Sequence, residues 1–254
     1  MVKQFDRGIP LKVIAYEDRH KIVTALTENY GLVSAMAKNS VQSKRFGSAL
    51  GLFVASKMGF TQTENGEWGH LSEAEVQKTF SGISGDFEKL SYGSFLNEIF
   101  LKIAQPGVPA PELFKLYVNA LHELDQAKTP EIVLAVVCIV LTKILGWSGH
   151  KPNFKTCMAC DQSIQGILGA KVTLDFNRVC WVCPECSDPI GLTGSPLFVF
   201  EMDFASAQPI KNSLVIIKSD LESLKSGFHF LLRSLCYHLP GLDVNQLQSL
   251  RFIQ

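Results

Sequence analysis

The sequence predicts an α+β protein: a small N-terminal β-barrel, then a helical bundle into which a four-cysteine knuckle module is inserted. Three observations predict it. Between Leu11 and Leu71, short apolar runs are separated by turn signals roughly every 8–12 residues, the spacing of a small barrel or sandwich. Beyond Leu71 the apolar residues recur at helical spacing. Five of the seven cysteines fall between Cys157 and Cys186. The expected domains are residues 1–71 for the barrel and 72–254 for the helical part, with the knuckle module at about 155–190.

Leu11-Lys-Val-Ile-Ala-Tyr-Glu17 reads as the first strand and Asp18-Arg19-His20 as its turn. Ile22–Thr27 and Leu32–Ala37 follow, joined by Glu28-Asn29-Tyr30-Gly31. A polar loop, Lys38 to Arg45, leads to a strand at Leu50–Ser56 and a hairpin around Glu64-Asn65-Gly66. Five strands in so short a stretch suit an OB-fold, whose strand face and loops bind single-stranded nucleic acid.

Ser72-x-x-Glu75 has the form of a capping box and predicts the start of the helical part. Within 86–104, Phe87, Leu90, Leu96, Ile99, Phe100 and Ile103 keep helical spacing. Pro111 reads as a first-turn proline ahead of Leu113, Leu116, Tyr117, Leu121 and Leu124. Thr129-Pro130 opens a helix that is apolar on every side through Ile144 and stops near Gly146, the pattern of a bundle centre. Its Cys138 reads as core packing. Leu192 to Pro209 reads as a Gly/Pro-punctuated connection. Ser219-x-x-Glu222 then caps an amphipathic helix ended by Pro240-Gly241.

Two Cys-x-x-Cys turns roughly 15–20 residues apart are a strong metal signal. Here they are Cys157-Met-Ala-Cys160 and Cys183-Pro-Glu-Cys186, with Cys180-Trp-Val-Cys183 overlapping the second. A short turn brings two thiolates to one Zn²⁺ while backbone N–H groups face the sulfurs, and the cation favours the deprotonated thiol. Five cysteines compete for four places. Pro184 presets the second turn, which selects Cys157, Cys160, Cys183 and Cys186; a pairing of Cys180 with Cys183 is the rival. A disulfide or a thioredoxin-like redox pair does not need the second turn. A catalytic zinc keeps an open position, often beside a histidine, and the nearby His150 reads as a loop residue. The reading is structural zinc.

The chain is long enough to bury a sizeable core. Its formal net charge is zero, which by itself predicts no polyanionic partner, but the charges are unevenly spread. Residues 1–60 hold nine Lys/Arg against four Asp/Glu, and residues 61–150 hold six against eleven. A basic first module suits an anionic partner. The candidate phosphate contacts are Lys38, Lys44 and Arg45 in the polar loop, with Lys12, Arg19 and Lys21 on the first hairpin. An ordinary solvated loop is the plainer alternative. Phe46 and Phe53 read as core residues.

The start of the sequence lacks an apolar signal segment, and clustered cysteines suit a reducing cytosol. The longest apolar run, Ile132 to Leu141, is too short to span a bilayer. These features predict a cytoplasmic protein with no membrane contact. Neither phosphate-binding glycine loop, no nucleophile elbow and no His-Glu-x-x-His is present, so no enzymatic activity is expected.

The order of these parts resembles the RecO family of bacterial recombination and repair proteins. Tyr16-Glu-Asp followed by Ile22-Val-x-x-Leu-Thr-Glu-x-x-Gly31 resembles that family's first hairpin. Ala37-Lys38 through Ser43-Lys-Arg45 to Leu50-x-x-Phe53 resembles its basic loop and next strand, with Asn39-Ser40-Val41-Gln42 where the family is richer in Arg and Lys. Leu71-Ser-Glu-Ala-Glu75 resembles the barrel-to-helix junction. Leu145-Gly146-Trp-x-x-x-x-Pro152-x-x-x-x-Cys157-x-x-Cys160 resembles the approach to the zinc site, and Leu247-Gln-Ser-Leu250 the tail.

The resemblance implies a recombination mediator that binds single- and double-stranded DNA and anneals complementary strands. It implies action with RecR, helping RecA replace the single-strand-binding protein on gapped DNA, and a nucleoid-associated location in the cytoplasm. Two other classes compete. A zinc-ribbon nucleic-acid-binding regulator would contact its target through the knuckles, but few cations flank them (Lys151, Lys155, Lys171, Arg178). A metal-dependent hydrolase would need a water-accessible zinc.

Overall fold

The computed structural model describes residues 2–41, 43–62, 68–167, 169–187 and 191–253. It divides into two compact units, residues 1–125 and 126–254. The hairpin expected around Glu64-Asn65-Gly66 lies outside the described residues.

The first unit is built on a five-stranded closed barrel. Strand β1 (Val2–Tyr16) pairs along its second half with β2 (His20–Thr27), and β2 pairs with β3 (Gly31–Ala37). The first half of β1 pairs with β4 (Val54–Gln62), which pairs with β5 (Trp68–Thr79). A parallel contact between Met36 and His70 joins β3 to β5, and the order is β1-β2-β3-β5-β4. One long strand serves both neighbours because a bulge between Pro10 and Lys12 bends it; proline, lacking an N–H, is tolerated there. Val23, Ala25, Val33, Ala35, Met58, Phe60, Leu71 and Ala74 fill the barrel, and Phe46, Ala49 and Leu50 add to the same core from the loop before β4. Alanines among larger side chains fit so narrow an interior. At Gly31 the backbone takes φ +64 and the main chain of Val108 occupies the place of a β-carbon, so the turn into β3 requires glycine.

Three expectations in this unit need correction. Residues 50–53 are turn rather than strand, although Leu50 and Phe53 are buried as core residues. Ser72-x-x-Glu75 does not open a helix: it lies within β5, where the Ser72 hydroxyl donates to the carbonyl of Gly59 on β4 at 2.9 Å. A capping box is a local signature, and ladder pairing with β4 overrides it. The boundary expected after residue 71 therefore falls inside a strand, and the barrel runs on to Thr79.

Helices α1 (Ser81–Ser84), α2 (Phe87–Ile103) and α3 (Pro111–Gln126) follow. Asp86 caps α2, its carboxylate accepting from the Lys89 N–H at 3.0 Å. Leu96, Ile99 and Phe100 are buried as their spacing predicts, whereas Phe87 is 67% exposed and Leu90 partly so. The expected single bundle from residue 72 onward is thus divided, since α1 and α2 belong with the barrel.

The second unit centres on α4 (Pro130–Trp147), opened by Thr129 and Pro130. Every residue from Val133 to Thr142 is buried. The helix is longer than its continuous apolar run, and by length and composition it is sufficient to cross a membrane. In this fold 67% of it is enclosed by the protein. A small sheet in the order β7-β6-β8 is formed by β6 (Val172–Asp175), β7 (Cys180–Val182) and β8 (Leu192–Gly194). Residues 192–209, expected as a connection, instead form β8 and helix α5 (Pro196–Ala207), with Pro196 in the first-turn position. Then come α6 (Ile210–Leu214) and α7 (Leu221–His238). Asp220, one residue beyond the expected Ser219, caps α7 by accepting from the Ser223 N–H at 2.8 Å. Helix α7 packs on α4, where the Cys138 thiol donates to the Leu224 carbonyl at 3.7 Å, so Cys138 is a core residue.

Candidate functional site

The two knuckles are brought together by the strand between them. On β7, Cys180 pairs with Asp175 of β6, and its neighbour Trp181 is fully buried with its indole N–H donating to the Phe154 carbonyl at 3.1 Å. The Trp181 carbonyl in turn accepts from the Met158 N–H at 3.1 Å, which fixes the first turn beside the end of β7. A bridge between Thr156 and Ser163 closes the base of that turn. The second turn follows β7 directly, with the Cys186 N–H donating to the Cys183 carbonyl at 3.1 Å.

The result is a cluster of Cys157, Cys160, Cys183 and Cys186 whose sulfur atoms all lie within 4.8 Å of one another. Cys157 and Cys183 are buried, and Cys160 and Cys186 are exposed, so each turn offers one inner and one outer sulfur. The Sγ atoms of Cys160 and Cys183 stand 3.7 Å apart. Four thiolates about 2.3 Å from a tetrahedral Zn²⁺ are about 3.8 Å from each other, so donor type and spacing both fit that ion. Cys180 is outside the cluster, held buried on β7, where burial pushes its thiol up to about 11.

Backbone donors distinguish the sulfurs. Burial raises the Cys157 thiol, but hydrogen bonds from the N–H groups of Cys183, Ala159 and Cys160 outweigh it and bring the thiol down to about 7. The neighbouring Cys183 and Cys160 thiols push Cys186 up to about 12. His150 does not join this cluster. It stacks on His238 at the end of α7, ring centroids 4.3 Å apart.

The basic residues fall into two places rather than one patch. Arg19 lies in the β1–β2 turn, and its carbonyl accepts from the Val41 N–H at 3.4 Å. Lys21 pairs in register with Ala15 and Ala37, and the exposed Lys38 follows β3 directly. These three cations share one end of the barrel. Lys12 lies exposed on the adjoining strand face, in register with Thr24 and, through it, Ser34. Lys44 and Arg45 instead line a shallow cavity of about 390 Å³ with Phe5, Lys57 and Glu73. The β3–β4 loop causes the separation: Asn39 hydrogen-bonds His20 near the first hairpin, whereas the Arg45 carbonyl accepts from Ala74 on β5.

Sequence reasoning missed two components. Phe5 on β1 is 49% exposed, with the ammonium groups of Lys3 and Lys57 at 4.8 and 5.4 Å from its ring centre. Lys3 is also paired with Glu73. The other is an outward row across β1, β2, β3 and β5, formed by Ile14, Ile22, Met36 and His70, with the exposed Tyr16 paired to His20 beyond it. Ile14 and Ile22 are apolar, yet both lie on the outward parity. Counting alternately from the buried Val13–Val23–Ala35 row would have turned them outward.

The family described as Recombination protein O C terminal matches residues 84–247, and Recombination protein O N terminal matches residues 1–80. Among relatives, the DNA repair protein RecO of Desulfatibacillum aliphaticivorans is 29% identical over 261 residues, covering 97% of this chain and 95% of that protein. RecO of Exiguobacterium sibiricum is 29% identical over 207 residues, covering 78% of this chain and 79% of the relative. RecO of Caldicellulosiruptor saccharolyticus is 26% identical over 220 residues, with coverages of 86% and 82%.

Proposed function

The chain belongs to the recombination protein O family of DNA repair proteins, and from that premise we propose that it is a non-enzymatic recombination mediator. In this reading it binds single- and double-stranded DNA and anneals complementary strands. With RecR it helps load RecA on DNA covered by the single-strand-binding protein, within the cytoplasm at the nucleoid. We read the barrel as an OB-fold, a reading supported by the β1-β2-β3-β5-β4 order and the parallel β3–β5 closure.

The observation that carries the proposal is the outer face of β1–β3. Lys12, Thr24 and Ser34 form one row, Ile14, Ile22 and Met36 the next, and Tyr16 with His20 the last, bounded by Arg19 and Lys38, with Lys21 on the alternate parity at the same end of the barrel. Cations beside exposed rings and apolar side chains suit a single strand: the cations meet phosphates, and the flat groups accept unstacked bases of any sequence. Lys44, Arg45 and Lys57 line a cavity with Phe5, but Glu73 and Glu75 line it too and make it less suited to phosphates.

Cys157, Cys160, Cys183 and Cys186 would hold Zn²⁺, which when bound supplies a cross-link rather than a reaction centre, since four thiolates complete its coordination. The protein's own contribution is the Trp181 strand, which positions both turns.

The test is fluorescence anisotropy of a labelled single strand as salt is raised. It compares the wild type with an Arg19→Ala, Lys21→Ala, Lys38→Ala variant and a Lys44→Ala, Arg45→Ala, Lys57→Ala variant. Each lost phosphate contact reduces the log–log salt slope by about 0.7. The first triple variant is expected to lose about 2, and the second less. A wild type that neither binds DNA nor anneals it would overturn the reading.

A further inference from the structure

A second cationic surface lies on the other unit. Helix α7 presents Lys225, His229, Arg233 and Tyr237 at four-residue intervals, and all four are exposed. That spacing places them in one row, with a step of about 6 Å and a length of about 18 Å. Residues 223–238 contain no aspartate or glutamate. Among the described residues no ion pair engages Lys225 or Arg233. Lys225 and Arg233 stand two turns apart on this row, and burial together with these two cations lowers the pKa of His229 between them.

The row ends on an aromatic group. Tyr237 is 62% exposed and meets His238 edge-on at 5.0 Å and Phe176 edge-on at 6.2 Å. Phe176 belongs to the β6–β7 turn, where the Arg178 side chain is 68% exposed. His150 stacks beneath His238. The Tyr237 ring is thus braced by packing while a large part of it remains open to solvent.

We propose that this face of α7, from Lys225 to the Tyr237–Phe176 ring pair, is a second nucleic-acid surface that takes a single strand through its phosphates and one terminal base. Two unpaired cations on one face can meet phosphates of one strand, and a braced, exposed ring gives a base a stacking partner. An acidic protein segment would satisfy the charges but has no use for the ring. The inference rests on the reading of the chain as a DNA-binding protein and extends it. One strand is held on the barrel and its complement on α7, which is what an annealing protein needs.

The experiment uses the full chain. Binding of a labelled single strand and annealing of two complementary oligonucleotides are measured for wild type, Lys225→Ala/Arg233→Ala, Lys225→Arg/Arg233→Lys and Tyr237→Ala. All three substituted positions are exposed, and the charge-conserving pair controls for folding. The alanine pair is expected to flatten the salt slope by about 1.4, and to slow annealing about tenfold. Tyr237→Ala is expected to weaken binding about tenfold through the loss of one stacked base, with the Arg/Lys exchange close to wild type. Wild-type binding with an unchanged slope in the alanine pair overturns the α7 surface and leaves the barrel reading intact. Polyglutamate binding that the alanine pair abolishes, with DNA annealing unaffected, assigns the row to an acidic protein and overturns it as well. A wild type that does not bind DNA removes both readings.

Discussion

The backbone N–H of Cys183 points at the Sγ of Cys157, 3.3 Å away. The buried sulfur of one knuckle is therefore held by the main chain of the other, and the two turns form one structural object. A donor aimed at a sulfur favours its thiolate, the form a metal requires.

Serine substitutions separate the four clustered cysteines from the fifth. Cys157→Ser, Cys160→Ser, Cys183→Ser and Cys186→Ser should each lose bound zinc, read by elemental analysis of the purified protein. Cys180→Ser should keep full zinc while its buried hydroxyl costs about 1–3 kcal/mol of stability. Loss of zinc from Cys180→Ser with retention by Cys186→Ser would place the second turn at the rival pair.

Acid should release the metal. The Cys157 thiol, lifted by burial but brought down to about 7 by three backbone donors, starts to compete for protons near neutrality. A depressed thiol stabilises the fold above its unfolded value and loses that contribution as pH falls through the folded value. Zinc affinity should accordingly fall progressively, with proton uptake, as pH is lowered, since all four thiols must be deprotonated to bind. A chromogenic chelator reads the release, and flat retention down to about pH 5 would contradict the assignment.

Glu201 gives the opposite slope. It is fully buried on α5, with one carboxylate oxygen accepting from the N–H groups of Lys218 and Ser219 at 2.6 and 3.1 Å. Burial raises its pKa above the ordinary value despite those donors. Its contribution to stability is complete below the unfolded value of 4.5 and lost as pH rises through the folded one. Urea midpoints should show this decline in the wild type and a flatter profile in Glu201→Gln, which keeps the acceptor without the charge.

Gly227→Ala tests the packing of α7 on α5. In an open helix this change stabilises by about 1 kcal/mol. Here a β-carbon would fall within the ring of Phe198, which is almost fully buried and has no room to retreat. Overpacking of about 1–3 kcal/mol should outweigh the gain and lower the melting temperature. A rise would show that the ring yields.

Features set by neighbours in sequence were legible. Thr129-Pro130 marks the start of α4, Pro111 that of α3, and the Cys-x-x-Cys spacing names the four cysteines that cluster. What depended on distant partners was not. Ser72 and Glu75 look like a helix cap until β4 is laid beside them, and Ser72 then bonds Gly59. Leu192 to Pro209 looked like a connection because Gly and Pro dominate the eye, yet Phe198, Val199 and Met202 are buried core on α5. The six basic candidates lie on one loop and one hairpin in the sequence, which does not say where each side chain stands in the fold. The fold of the loop between β3 and β4 sends Lys38 to one end of the barrel and Arg45 to a cavity beside β5.

Helix α4 also bears on how this protein is made. It ends at Trp147, and α7, which packs on it, ends at His238, about 90 residues later. At a ribosomal rate of about 5–20 residues per second, that interval lasts roughly 5–20 s. During it the nascent chain carries a helix apolar on every side with its covering partner unmade. Synthesis halted in that window would leave a product prone to self-association and a natural client for chaperones, whereas release after α7 closes the second unit in one step.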